Sequence, residues 1–204
     1  MSERLDLILV RHGLPAVSAD LAGDPPLSDT GRAQASATCA MLAGERIDRI
    51  VSSTLVRAIE TARPLAEQTA MPLAQIAELG EIDRLTGRYA SIESVRARGR
   101  EEWKTFLADP LGYFGVDADR YRAETIEGFR LASASGGRIA IFTHGFPINL
   151  LLSHALGIPD QARFVPSYGS ITRLSGRSVD HLTVVSINET AHLPADLLIA
   201  MPTG

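Results

Sequence analysis

The chain has 204 residues, 45% of them hydrophobic and 22% charged, a balance that suits one globular domain with a substantial core and excludes disordered and fibrous classes. Its formal net charge of -4 provides no long-range pull toward nucleic acid or an anionic membrane, so any anion site has to be local. A single cysteine, Cys39, excludes an internal disulfide framework, and the first apolar run is too short for a secretion signal or a membrane span; cytoplasm is the expected compartment.

In chain order, Leu5 to Val10 reads as a buried strand. Ser28 is placed to cap a helix from about Asp29 to Ala43, with Gly44 as a left-handed stop. A second strand runs from Ile47 to Val51, and the helix after it starts near Ser53 or Thr54 with Pro64 in its middle, where a lost donor and a ring clash predict a kink or an early end. Leu73 to Ala77 is strand-like. From about 84 to 135 no strong strand is visible. Helix-like segments rich in arginine and aromatics, among them Tyr89, Arg96, Trp103, Phe106 and Tyr121, predict a helical insertion over the carboxyl ends of the strands. Arg138 to Phe142 is the next strand, followed by a helix that Gly145-Phe146-Pro147 opens and Gly157 closes, with Leu150, Leu151, Leu152 and Leu156 facing a core. Leu182 to Ile187 is the last. The alternation predicts an α/β fold, a three-layer α/β/α sandwich around a mostly parallel sheet, as a single domain over 1–204.

In such sheets ligands bind beyond the carboxyl ends of the strands. The first strand ends in Arg11-His12-Gly13, the second in Ser52-Ser53 followed by Arg57, and the third in Thr143-His144-Gly145. A cation at the position of Arg57 opposes the positive end of its helix dipole, a conflict that a nearby anion resolves, and the amides at the Gly145 helix start form a natural anion site. Phosphate matches this set best, carboxylate second. His12 is the better nucleophile candidate because it ends a rigid strand beside an arginine; His144 would help hold the phosphoryl group. Glu81 is the best-placed acid, ahead of Glu78 and Asp83. His154, His181 and His192 lack metal-ligand spacing, and no serine-hydrolase elbow, Walker loop or dinucleotide glycine pattern is present.

These motifs together, Leu9-Val10-Arg11-His12-Gly13, Leu27-Ser28-Asp29-Thr30-Gly31, Ser52 through Ala62, Glu81-Ile82-Asp83, Thr143-His144-Gly145, Ser170-Ile171-Thr172 and Asn188 through Leu193, resemble the histidine phosphatase superfamily in its phosphoglycerate-mutase-like branch. The resemblance implies a phospho-His12 intermediate, a phosphate pocket of Arg11, Arg57, His144 and Gly145, Glu81 as proton donor, and neither metal nor other cofactor. It also implies a phosphomonoester hydrolase acting on a small phosphorylated metabolite. A mutase is the first alternative, disfavoured because mutases of this branch tend to be longer; a non-catalytic phospho-ligand-binding module is the second. Leu14-Pro15 and Leu85 depart from the polar pair and the glycine common at those places, which bears on substrate contacts. No nucleic acid or membrane partner is expected, and a homodimer stays open.

Overall fold

The computed structural model describes residues 4–16, 23–89, 92–159 and 162–199. The elements are β1 (Leu5–Arg11), α1 (Asp29–Ala43), β2 (Arg49–Ser52), α2 (Val56–Thr69), β3 (Leu73–Gln75), α3 (Asp83–Thr86), α4 (Ile92–Ala97), α5 (Arg100–Ala108), α6 (Ala118–Ser133), β4 (Gly137–Thr143), α7 (Gly145–Leu156), β5 (Ile171–Ser178) and β6 (His181–Glu189). The strands are ordered β3-β2-β4-β1-β5-β6; the first four run parallel, and β5 is antiparallel to both neighbours.

Strand periodicity builds two cores from one sheet. Leu7 and Leu9 of β1 and Ile139 and Ile141 of β4 face Ile126 and Phe129 of α6 and Leu151 and Leu152 of α7. The alternate residues Ile8, Val10, Ala140 and Phe142 face Cys39 and Leu42 of α1 and Ala62 and Leu65 of α2. The central neighbours β1 and β4 therefore release the chain toward opposite faces, α1 on one and α7 on the other. That divergence opens a crevice at their carboxyl ends.

A third cluster, including Ile92, Val95, Phe106, Leu111 and Tyr121, packs against Phe146 and Leu150 at the start of α7. It seats α4 and α5 over the strand ends. The stretch read as an insertion at 84–135 thus also contains α6, whose apolar face belongs to the sandwich.

Several local expectations change. Ser28 caps α1 by accepting from the Gly31 amide, but Gly44 ends that helix in right-handed conformation, φ -78°. Pro64 does not end α2, which continues to Thr69 and stops at a left-handed Ala70, φ 53°. Burial of Ala58, Thr61, Ala62 and Leu65 along one face offsets the one lost hydrogen bond. Leu156, expected in the core, is 47% exposed.

Candidate active site

The turn after β1 is fixed before any side chain acts. The amide of His12 donates to Thr143 O at 3.0 Å, and that of Gly169 to Arg11 O at 3.1 Å. The Gly13 amide donates to Thr61 Oγ1 at 3.0 Å and the Leu14 amide to Gln34 Oε1 at 2.8 Å. Glycine is required on both sides of this contact. A Cβ on Gly13 would lie 2.4 Å from Gly31 O, and one on Gly31 would lie 2.1 Å from Leu14 O. The turn and the first residues of α1 meet backbone to backbone.

Within that frame His12 is buried, and its Nδ1 donates to Gly13 O at 2.7 Å. This fixes the tautomer: the lone pair is on Nε2, which accepts from Arg57 Nε at 3.3 Å. Burial, then the charges of Arg57 and Arg11, hold the imidazole well below its ordinary pKa, so it is neutral and nucleophilic at pH 7. The His144 ring lies 5.0 Å from that of His12, centroid to centroid, and its Nε2 is hydrogen-bonded to Ser53 Oγ at 2.7 Å. Its side chain makes no cap bond to α7.

Arg57 is fully buried. Its Nη1 donates to Asp24 Oδ1 at 3.2 Å and its Nη2 to Asp83 Oδ2 at 2.6 Å. Asp24 also accepts from the Val56 amide at 2.9 Å. The anion that the sequence demanded at the start of α2 is therefore supplied by the chain's own carboxylates. Arg11 Nη1 donates to Glu93 Oε1 at 2.7 Å and to Pro166 O at 2.6 Å, and its guanidinium carbon lies 4.0 Å from the Tyr168 ring centroid.

Glu81 Oε2 accepts from the Phe146 amide at 3.2 Å, so the carboxyl occupies the α7 N-terminus. Burial and then the neighbouring Asp83 charge push its pKa to about 7, against weaker stabilisation from Phe146 N and Arg57. Asp83 is itself pushed to about 6 by burial, which outweighs Arg57. A carboxyl that is partly protonated at neutral pH can both give and take a proton.

Arg11, His12, Arg57, Glu81 and Gly145 line one narrow pocket with Tyr89, Ile92 and Phe146. The His144 ring, 5.0 Å from that of His12, is not part of the lining. Glu78 lies against Gly128 of α6, away from the pocket. Asp83, a weaker acid candidate in the sequence, instead pairs with Arg57, and Ser53, in the strand-end stretch Ser52-Ser53, bonds His144; Asp24, Glu93 and Tyr168 reach the site by tertiary contact, with no spacing signal. Among the described residues no group of three or more His, Cys, Asp or Glu is arranged to hold a metal, and no helix is long and apolar enough to cross a membrane.

A three-layer sandwich with paired histidines and arginines at the β1/β4 crevice defines a class, and sequence comparison agrees with it. The profile of the histidine phosphatase superfamily (branch 1) matches residues 7–190, and the chain belongs to that superfamily. It is 26% identical over 205 residues to a probable phosphoglycerate mutase of Yersinia enterocolitica, covering 93% of this chain and 95% of that protein. Among solved structures it resembles a mycobacterial glucosyl-3-phosphoglycerate phosphatase, with a TM-score of 0.72 and 22% identity over 92% of this chain and 100% of the other. It also resembles a phosphoglycerate mutase of Bacillus anthracis, with a TM-score of 0.71 and 18% identity over 94% and 96% of the two chains. At these identities the structural likeness establishes the fold.

Proposed function

We propose that the protein is a phosphomonoester hydrolase that acts on a small phosphorylated metabolite through a phospho-His12 intermediate. The observation that carries this reading is the fixed tautomer of His12, whose Nε2 lone pair faces the Arg57 guanidinium while Nδ1 is tied to Gly13 O. In the first step Nε2 attacks phosphorus, the N–P bond forms, the ester P–O bond breaks, and the departing alkoxide takes the proton of Glu81. In the second step water attacks phosphorus and passes a proton to Glu81; the N–P bond breaks and phosphate leaves. Arg11 and Arg57 hold the equatorial oxygens, and His144, its ring 5.0 Å from that of His12, helps hold the phosphoryl group.

One observation favours a second reading, in which the phosphoryl group returns to another substrate hydroxyl. The Yersinia relative named a probable phosphoglycerate mutase is covered over 95% of its length, so chain length does not separate mutase from phosphatase here. Incubating the protein with a phosphomonoester panel that includes 3-phosphoglycerate, with and without a bisphosphate primer, decides between them. Release of inorganic phosphate without primer is the expected result. Primer-dependent isomerisation without phosphate release would establish the mutase, and no turnover of any ester, including p-nitrophenyl phosphate, would leave a binding module.

A further inference from the structure

Among the described residues, the hydrogen bonds that Arg11 donates through its side chain all leave from one nitrogen. Its Nη1 serves two acceptors, Glu93 Oε1 at 2.7 Å and Pro166 O at 2.6 Å, while the Tyr168 ring supports the guanidinium plane at 4.0 Å. Its Nε is buried with no partner among the described residues, and it lies beside the Gly145 wall of the pocket: a Cβ added to Gly145 would lie 4.0 Å from that nitrogen and 3.6 Å from Glu81 Oε2. We propose that Glu93, carried by the cap helix α4 and not by the sheet, is a positioning residue that holds Arg11 by its rear nitrogen and presents the free edge of the guanidinium to the substrate phosphate.

A carboxylate this close to an anion site has two conceivable roles, competitor or clamp. A competitor would occupy the edge that the phosphate needs. Glu93 instead takes the nitrogen already committed to Pro166 O and leaves Nε open. It stays ionised in doing so, because the charge and hydrogen bond of Arg11 outweigh its burial and hold its carboxyl below the ordinary range. Breaking this pair leaves a buried guanidinium held by Pro166 O and the Tyr168 ring without its counter-charge, and the cost appears as lost anion affinity.

The cap reaches the second arginine as well, for the Tyr89 ring lies 5.0 Å from the Arg57 guanidinium carbon. Next to Glu93, Ile92 both lines the pocket and packs in the cap cluster. The segment that carries Glu93 therefore also forms part of the pocket wall.

This proposal rests on the anion-pocket part of the functional reading, so its test reads equilibrium binding of orthovanadate by calorimetry beside turnover of p-nitrophenyl phosphate. Glu93→Ala should weaken vanadate about tenfold to hundredfold, the size of one charge-assisted hydrogen bond, and raise KM more than it lowers kcat. Glu93→Gln, whose amide oxygen still accepts from Nη1, should stay within a few-fold of the native protein. Glu93→Asp, which keeps the charge but draws it back by one methylene, should weaken vanadate and serves if the alanine variant does not fold. In an Arg11→Ala background, Glu93→Ala should add no more than about a twofold loss. Tighter vanadate binding in the Ala and Gln variants, unchanged binding in Ala and Asp, or an undiminished loss without Arg11 would overturn the proposal. A native protein that binds vanadate but turns over no ester would sink the hydrolase reading and leave the Glu93 result intact.

Discussion

Asp83 accepts from Arg57 Nη2 at 2.6 Å with both side chains fully withdrawn from solvent, and it is also the charge that, after burial, raises the pKa of Glu81. One residue thus fixes the arginine bonded to His12 and helps keep Glu81 protonated. Asp83→Asn keeps an amide oxygen for Arg57 but removes the like charge. Glu81 must be protonated to donate, so kcat/KM for alkyl phosphates should fall as pH rises through about 7. In the Asn variant that fall should move to lower pH by on the order of one unit. A pH profile with an unmoved alkaline limb would show that Asp83 does not tune Glu81.

Glu81→Gln should slow alkyl phosphates by about 10²- to 10⁴-fold and p-nitrophenyl phosphate much less, because nitrophenolate leaves without a proton. Comparable losses on both substrates, with phosphorylation rate-limiting, would move the donor role elsewhere.

The same substitution has a stability signature. Glu81 is raised from 4.5 to about 7 in the folded chain. Its contribution to stability is therefore fully present below pH 4.5 and lost as pH rises through about 7. Gln is neutral throughout, so the variant should be more stable than the native protein at pH 8, by about 1 to 3 kcal/mol, and indistinguishable from it at pH 4.5. Urea unfolding at the two pH values reads this directly, and equal stability at pH 8 would mean that the carboxyl is not held at a cost.

Gly13→Ala places a methyl 2.4 Å from Gly31 O, backbone against backbone with nothing flexible to give way. The turn carrying His12 must shift, and a misplacement of about 1 Å costs on the order of 100-fold in turnover. Near-native activity in a folded Gly13→Ala protein would mean that the β1 turn and α1 are not locked together.

Much of this site was legible because strand ends are where a parallel sheet exposes side chains: Arg11, His12, Arg57, Glu81 and Gly145 line one pocket, with the His144 ring 5.0 Å from that of His12. Their supports were not legible. Asp24, Glu93 and Tyr168 come from loops and the cap, and tertiary contact alone brings them in. In the fold, the apolar runs of β1, β2 and β4 stand out because both faces of those strands are buried. β5 does not, since Arg173, Ser175 and Arg177 interrupt it, and only the motif Ser170-Ile171-Thr172 pointed to its start. Gly44 looked like a left-handed stop and Pro64 like a break, yet Gly44 is right-handed and α2 passes through Pro64. At Pro64 local propensity yields to packing of the α2 face against the sheet.

In the proposed reaction the phosphoryl group passes through His12 Nε2. The most direct measurement is to quench the enzyme during turnover of a ³²P-labelled phosphomonoester and map the label by peptide mass spectrometry. The expected result is an acid-labile, alkali-stable phosphate on His12, absent from the His12→Ala protein, which should retain no more than a trace of turnover. Label on any other residue, or near-native turnover by His12→Ala, would contradict it.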